Sequence, residues 1–439
     1  ILTKTKSMKK NIFLVSLATV LLYCSCNTED SFKPHSNEDI SVEKPVDTLK
    51  IENPKEENIF NNEFALQKYI ELPKEQEEIS QKLNAFAWKL FINTYKQKGG
   101  SNLILSPFSL TQDLLMLCNG LKGITLEDTK QALGLFYYNM EDINQYVLLI
   151  NQGLNDADPK TKYRTDNSIW YRNDMIIQPD FAENVSQYYH AETFPTAMNE
   201  ETLDSINNWA YQRTYGRIKD FLPSLSPGMA SVLINTVYFR GLWYYETSDI
   251  KYRIFHNENG EEENVKFAKL DAKSYYSENS LYQAACEFLG NRAFAMDFIL
   301  PKEGVNPTEA LRQYINDGVP SWIKILKLDY PLFESESKMS LDDLLHHMGI
   351  NGIYNPQNTS DMQLFNKPTF VSSVIQQTSI AVSEKGVEAA GGTINIPGTE
   401  GYEPQPDTVF VTLNRPFFYT IRETSTNTPL FIGYQGSVK

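Results

Sequence analysis

The chain has few cysteines, few histidines and no surplus of basic residues, and each shortage excludes a class of function. Its 439 residues carry 40 Lys and Arg against 55 Asp and Glu, which gives a formal net charge of −15. A chain without a basic surplus cannot neutralise many phosphates, so we expect no nucleic-acid partner. Electrostatic docking on anionic lipid is excluded for the same reason. Hydrophobic residues make up 41% of the chain, enough for a sizeable core.

The four cysteines are Cys24, Cys26, Cys118 and Cys286. The last two lie in separate apolar segments and are interpreted as buried free thiols, with a disulfide as the alternative. No pair of residues has the spacing of metal ligands, and the acidic stretch at 256–264 is interpreted as a solvated turn rather than a cation site. We therefore expect neither a metal nor a cofactor.

Motifs of the common enzyme classes are also missing. None of the five histidines belongs to a His-Glu-x-x-His pair. Neither a Gly-x-Ser-x-Gly elbow nor a phosphate-binding Gly-x-x-x-x-Gly-Lys-Ser/Thr loop occurs. The adjacent His346 and His347 cannot share one face of a helix, which indicates surface or packing residues. The sequence therefore favours a protein that is not an enzyme.

The N-terminus has the organisation of an export signal. Two lysines follow Met8, and an apolar run at 12–23 is long enough for a signal peptide but too short for a comfortable membrane-spanning helix. The end resembles a bacterial lipoprotein signal, because the small Ser25 precedes Cys26. Residues 8–26 are therefore predicted to be a lipoprotein-type signal peptide with Cys26 as the lipid attachment site; an ordinary cleaved signal peptide is the alternative.

The polar, acidic segment that follows the leader is predicted to be a flexible tether over residues 27–74. Four prolines interrupt it and its apolar residues have no steady period, so burial cannot offset the entropy of ordering. Its first residues resemble the export signals of Bacteroides-type surface lipoproteins. We expect an outer-membrane lipoprotein, held to the membrane only by its lipid and exposed at the cell surface or facing the periplasm.

The remaining chain, 75–439, is predicted to be one folded domain that mixes helices and strands. Apolar residues at helical spacing predict a helix over 77–97. Ser106 as N-cap and Pro107 at the first helical position predict a second helix after a short strand. Apolar or alternating patterns predict strands at 231–243 and 292–301 and a hairpin at 416–434. Together these patterns favour an α+β architecture.

Several segments, taken in chain order, resemble the serpins, the serine protease inhibitor superfamily. The stretch 384–393, Glu-Lys-Gly-Val-Glu-Ala-Ala-Gly-Gly-Thr, resembles the hinge of the family's reactive loop. Other family signatures are resembled by the segments at 102–109, 120–125, 235–243, 414–417 and 429–433. The resemblance runs from about residue 77 to the C-terminus. It implies the serpin fold, with three β-sheets, about eight or nine helices and an exposed reactive loop.

The resemblance implies a suicide-substrate inhibitor of serine endopeptidases, with cysteine endopeptidases as a second target class. A target protease attacks the loop and forms an acyl-enzyme, which is trapped when the cleaved loop inserts into the central sheet. The partner is then the endopeptidase in a covalent acyl complex, and the inhibitor itself is expected to be a monomer. The alternative is a non-inhibitory serpin that acts as a binding or structural surface protein.

Rapid insertion requires small, uncharged side chains at alternate positions of the hinge, because alternate side chains of a strand face inward. The outward set is marked by Glu388, since an unpaired buried charge is costly. The inward positions are assigned to Val387, Ala389, Gly391 and Thr393. The hinge as a whole comprises Glu384, Gly386, Val387, Glu388, Ala389, Ala390, Gly391, Gly392 and Thr393.

Two further assignments follow from the resemblance. A sheet-opening region is assigned to Ser106, Ser109, Asn235, Trp243 and Gln376. Gln376 stands where many members carry a histidine, so a pH-linked lock of that kind is not expected. Val387 stands where inhibitory members usually carry Thr or Ser, which is expected to slow insertion slightly.

Family spacing, counted from Glu384, places the cleaved bond between Glu400 and Gly401. This position predicts a target with a basic primary pocket, such as a glutamyl endopeptidase. The loop looks longer than the shorter family loops, so two alternative reactive residues stay open. Thr399 would suit elastase-like enzymes, and Tyr402 would suit chymotrypsin-like or subtilisin-like enzymes.

Overall fold

The computed structural model describes residues 13–24, 66–159, 161–245, 247–384 and 406–439. Within these ranges no helix combines the length and the apolar character needed to cross a bilayer.

Eight α-helices lie in the described ranges. They are α1 (Lys74–Lys98), α2 (Pro107–Cys118), α3 (Gly123–Ala132), α4 (Met140–Asp156), α5 (Pro179–Tyr189), α6 (Glu200–Arg213), α7 (Pro307–Asp317) and α8 (Asp342–His347). Short 3-10 turns occupy Gly352–Tyr354 and Pro356–Asp361. The predicted first helix and the predicted start of α2 are both confirmed. The Ser106 side chain accepts a hydrogen bond from the Ser109 backbone amide at 3.2 Å, and Pro107 fills the first turn.

The same ranges contain fifteen strands. They are β1 (Phe13–Cys24), β2 (Leu103–Leu105), β3 (Lys162–Arg172), β4 (Glu192–Thr196), β5 (Met229–Arg240), β6 (Ser248–His256), β7 (Glu262–Glu278), β8 (Tyr282–Leu289), β9 (Phe294–Pro301), β10 (Trp322–Pro331), β11 (Phe333–Ser340), β12 (Thr369–Val382), β13 (Thr408–Thr412), β14 (Phe417–Glu423) and β15 (Pro429–Gln435). The mixed α+β architecture is confirmed.

The first sheet has six strands in the order β11-β12-β1-β5-β3-β4. The predicted strand near 231–243 is β5, and every one of its residues is buried, as its continuous apolar run indicates. Strand β1 lies at the centre of this sheet and runs antiparallel to both of its neighbours, β12 and β5. The apolar run that the sequence assigns to a leader is therefore a central strand of the described chain.

The second hydrogen-bonded network has nine strands, in the order β13-β10-β7-β8-β9-β14-β15-β2, with β6 paired to β7. The sequence implied three sheets. The long strand β7 joins two of them, because its last residues pair with β8 while most of its length pairs with β10. The predicted hairpin at the C-terminus is the β14–β15 pair.

Most of the buried apolar side chains form one core between the two sheets and under α1, α2 and α4. A second, smaller cluster lies between the six-stranded sheet and α6, around Ile206 and Trp209. Cys118 and Cys286 are buried free thiols, as predicted. Burial raises the pKa of Cys118 to about 12, so this thiol is unreactive at neutral pH.

Residues 66–73, at the end of the predicted tether, lie against the domain. The Ile70 backbone amide donates to Ser425 Oγ at 2.9 Å, and the Gln67 amide donates to Thr424 Oγ1 at 3.0 Å. The rest of that segment, 27–65, lies outside the described residues, as does Cys26.

Candidate functional site

The candidate site is the central slot, which we define as the space in the six-stranded sheet between β12 and β5. The two bordering strands run parallel to each other, because each is antiparallel to the strand between them. Strand β12 ends at Val382, and the segment assigned to the reactive loop follows it directly. A loop that turned back from Val382 would run antiparallel to β12, which is the direction that the slot accommodates.

Polar side chains at the middle of the slot hold its two borders to the start of α2. The Gln376 amide on β12 makes two hydrogen bonds with the backbone of Ser106: its Oε1 accepts from the Ser106 N–H at 3.1 Å, and its Nε2 donates to the Ser106 carbonyl at 2.8 Å. The Ser106 hydroxyl donates to the Leu430 carbonyl at 2.8 Å. Both side chains are buried, and buried polar groups need hydrogen-bond partners, which these contacts supply.

The opposite border, β5, is held through Asn235. Its Oδ1 accepts a hydrogen bond from the Ser109 hydroxyl at 2.6 Å. Its Nδ2 donates to Asn167 Oδ1 at 2.9 Å and to Thr165 Oγ1 at 3.0 Å, both on β3. Asn167 in turn donates to the Tyr189 carbonyl at the end of α5 at 2.7 Å. This chain of neutral hydrogen bonds ties the border to one flank of the sheet and to two helices.

Ala18 occupies the slot at the level of these amides, in register with both Gln376 and Asn235. Residues opposite each other on neighbouring strands project to the same face, so its methyl group also points towards α2. The side chain is fully buried and, being a methyl, adds no polar group. The amide contacts on both borders are therefore complete without any side chain from the strand in the slot.

The end of the slot nearest the loop is fixed by a second group of contacts. The Trp243 indole donates to the Ser383 carbonyl at 3.1 Å and packs edge-on against Tyr330, with 5.7 Å between ring centroids. The Tyr330 hydroxyl reaches the same carbonyl at 3.5 Å, and burial raises the pKa of Tyr330 well above its ordinary value, so it stays a neutral donor. The Thr247 hydroxyl donates to the Glu384 carbonyl.

The five residues assigned to the sheet-opening region thus lie in two places. Ser106, Ser109, Asn235 and Gln376 come together at the middle of the slot, whereas Trp243 lies at its loop end. Glu384 is the last described residue before the gap at 385–405. The hinge from Gly386 onwards and the candidate reactive residues at 399–402 lie outside the described residues.

Sequence reasoning missed three contributors to this site. Thr247 and Tyr330 hold the base of the loop, and neither belongs to a recognisable motif. Asn167 completes the amide chain from β3, and it lies within a run of five polar residues that gives no signal of a buried contact. In the described ranges no group of three His, Cys, Asp or Glu side chains is arranged to hold a metal ion. The arrangement can bind a strand, and nothing in it supplies a nucleophile with an adjacent base.

Comparison with known proteins gives the same family from sequence and from structure. The family model described as "Serpin (serine protease inhibitor)" matches residues 81–435. An uncharacterised serpin-like protein of Methanosarcina mazei is 27% identical over 380 residues, which covers 81% of this chain and 86% of that protein. An alpha-1-antiproteinase of Mus saxicola is 26% identical, with 81% and 88% covered. The native state of the thermophilic serpin tengpin superposes with a TM-score of 0.72 at 26% identity, covering 84% of this chain and 96% of that one.

Proposed function

The chain belongs to the serpin family, and from this premise we propose that it is a suicide-substrate inhibitor of serine endopeptidases, with cysteine endopeptidases as a second target class. The observation that carries the proposal is the central slot itself. It accepts a strand antiparallel to β12, and the loop segment leaves from the end of that same strand. A relative named alpha-1-antiproteinase supports the same activity.

In the proposed reaction the serine hydroxyl of the target attacks the carbonyl carbon of Glu400. The Glu400–Gly401 amide bond breaks, an ester to the protease forms, and the amine of Gly401 leaves with the proton that the hydroxyl loses. The freed N-terminal arm of the loop then enters the slot as a strand and carries the protease with it. Thr399 and Tyr402 are the alternative reactive residues.

The central slot determines which side chains an inserted strand can carry. Side chains of β12 at even positions such as Val374 and Gln376 face the main core or α2. A strand inserted beside them must place small, uncharged groups on that face, next to the amides of Gln376 and Asn235. The assigned inward set, Val387 to Thr393 at odd positions, meets this requirement.

Incubation of the leader-free protein, cleaved before Cys26, with a panel of endopeptidases, followed by denaturing gels, tests the proposal. We expect an SDS-stable complex and release of a peptide that starts at Gly401, identified by mass spectrometry. Ala389→Glu should turn the protein into a substrate that is cleaved without trapping, because the charge would face the core. Ala390→Glu is the matched control on the outward face and should keep the complex. Cleavage of the leader-free protein without any complex, with the hinge unaltered, would contradict the proposal.

One observation favours the second candidate, a non-inhibitory serpin that binds or supports a surface partner. The slot is filled by β1 along its whole length, so the described chain leaves no free position between β12 and β5 for another strand. We also propose, from the leader sequence, that the protein is exported and anchored through Cys26 as a monomeric outer-membrane lipoprotein. Radiolabelled fatty acid incorporated into the wild-type protein but not into Cys26→Ser would test the anchor.

A further inference from the structure

The occupant of the central slot comes from the far end of the chain. Strand β1 pairs with β12 from Phe13 opposite Ala381 to Cys24 opposite Thr369, and with β5 over nearly the same length. In sequence, residues 25–65, which lie outside the described ranges, separate the strand from the rest of the described chain. It nevertheless takes the position that the proposed function reserves for the cleaved loop.

The side chains of residues 17–22 in β1 fill both faces of the sheet. Val20 and Leu22 pack into the main core below α2, and Leu17 and Leu21 pack into the smaller cluster beside α6. The Thr19 hydroxyl, on a fully buried side chain, donates to the Leu233 carbonyl at 2.5 Å. Residues 17–22 are therefore buried like a strand of the core, and both backbone edges of β1 are paired.

The fit at the middle of the slot depends on one small residue. Ala18 lies between Gln376 and Asn235, where a larger side chain would meet the amides and a charged one would be buried without a partner. The slot requires a small, uncharged side chain at this position. The leader supplies Ala18, and the proposed hinge supplies residues of the same kind in Ala389, Gly391 and Thr393. The leader and the hinge are therefore both suited to the same strand position in the sheet.

We propose that Phe13–Cys24 is an intramolecular plug that keeps the uncleaved precursor unable to trap a protease, and that removal of the leader arms the inhibitor. This inference rests on the proposed function, because the plug matters only if the cleaved loop needs the slot. One slot cannot hold two strands, so a protease that cuts the loop of the plugged protein completes hydrolysis and leaves. The strand ends at Cys24, and cleavage before Cys26 would remove all of it.

The test compares the full-length wild-type chain with full-length Ala18→Asp, which places a charge between the two amides and should expel the plug. Ala197→Asp is the matched control, the same substitution at an exposed position. Hydrogen exchange of residues 17–22 measures occupancy of the slot without any protease. The yield of SDS-stable complex with a reactive endopeptidase measures inhibition. We expect protected amides in wild type and control, rapid exchange in Ala18→Asp, and a complex yield about tenfold or more higher in Ala18→Asp, because only molecules with an open slot can trap.

The two measurements separate the plug from the proposed function. Rapid exchange of residues 17–22 in the wild-type chain would overturn the plug, whatever the gels show, and this result does not depend on the folding of any variant. Protected amides with equal complex yields in wild type and Ala18→Asp would overturn its regulatory role. An expelled strand in Ala18→Asp with no complex from any form would overturn the proposed inhibition, and the regulation with it.

Discussion

Each of the two sheets contains a buried network of polar side chains, and only one of the two networks is charged. In the second sheet Arg422 on β14 forms an ion pair with Asp297 on β9 at 2.7 Å, and the Tyr314 hydroxyl of α7 adds a bond to the same carboxylate at 2.8 Å. At the central slot all the polar side chains are neutral, and the contacts run from each border to α2 or β3. None of those contacts uses a side chain of the strand in the slot.

This difference supports the proposal that the first sheet can exchange a strand, whereas the second cannot. Removing β9 or β14 would leave a buried charge without its partner, which is strongly unfavourable. Removing β1 breaks backbone pairing, exposes apolar surface and frees only the Thr19 hydroxyl among the polar contacts of its buried side chains. The amide contacts at the borders of the slot therefore do not depend on the strand between them.

The largest effect is expected from breaking the ion pair. Asp297→Ala leaves Arg422 buried and unpaired, and we expect a loss of about 3–5 kcal/mol in the free energy of unfolding. Urea titration measures it. Asp271→Ala is the control, because its pair with Lys327 is partly exposed and should contribute about 0–1 kcal/mol. Equal losses in the two variants would remove the distinction between a buried and an exposed pair.

Gln376→Ala tests one border of the slot. It leaves the buried N–H of Ser106 without a partner, while the Ser106 carbonyl still accepts from the Leu110 N–H at 3.3 Å. We expect a loss of about 1–3 kcal/mol, the cost of one unpaired buried group. The adjacent Gln377→Ala is the control. That amide donates to the exposed Glu336, so its loss should cost under about 1 kcal/mol in the same urea titration. A larger loss of stability for Gln377→Ala than for Gln376→Ala would contradict the assignment of the anchoring contact to the face of β12 that points towards α2.

The buried carboxyl of Asp113, on α2, predicts a pH dependence. Neither of its oxygens has a hydrogen-bond partner, and burial raises its pKa well above the ordinary value. The folded protein therefore holds this proton more tightly than the unfolded chain. Stability falls as pH rises above the unfolded pKa of about 4 towards the folded pKa, by about 1.4 kcal/mol per pH unit.

Asp113→Asn should remove that decline. Its stability relative to wild type should be smallest near pH 4 and grow as the pH is raised to 7, as measured by urea titration at each pH. Asp204→Asn, at an exposed position on α6, is the control and should show a flat difference. A flat difference for Asp113→Asn as well would mean that its carboxyl titrates normally.

The smallest effect is expected from the other border. Ser109→Ala removes one donor to Asn235, whose amide keeps its bonds to β3, and we expect a loss of about 1 kcal/mol. Ser205→Ala, which removes an exposed hydroxyl on α6, should change the stability by less than about 0.5 kcal/mol. If Ser109→Ala is as neutral as this control, the bond to α2 does not anchor β5.

Local signals in the sequence were enough to predict those elements whose own residues determine their position and burial. The start of α2 follows from Ser106 and Pro107, and the depth of β5 follows from its unbroken apolar run. The family resemblance supplied the serpin fold and the residues at the middle of the slot. What the sequence could not supply was the position of Phe13–Cys24, because an apolar run of that length suits an export signal and a buried strand equally.

The reason is that a strand in the middle of a sheet is defined by partners far away in the chain. Ala18 pairs with Gln376 and Asn235, and nothing near Ala18 in sequence indicates either contact. Strand β6 was missed although Ile250, Tyr252 and Ile254 alternate along it, and these apolar side chains are exposed rather than buried. Contacts such as Thr247 to the Glu384 carbonyl likewise depend on the assembled fold.

The most direct test of the central claim is the change in melting temperature when the reactive loop is cut. Full-length wild type and full-length Ala18→Asp are heated before and after cleavage in the loop, with calorimetry as the readout. We predict a large rise for Ala18→Asp, because the freed arm completes the sheet, and little change for wild type, whose slot is already filled. Equal rises in the two proteins would contradict the plug, and no rise in either would contradict loop insertion itself.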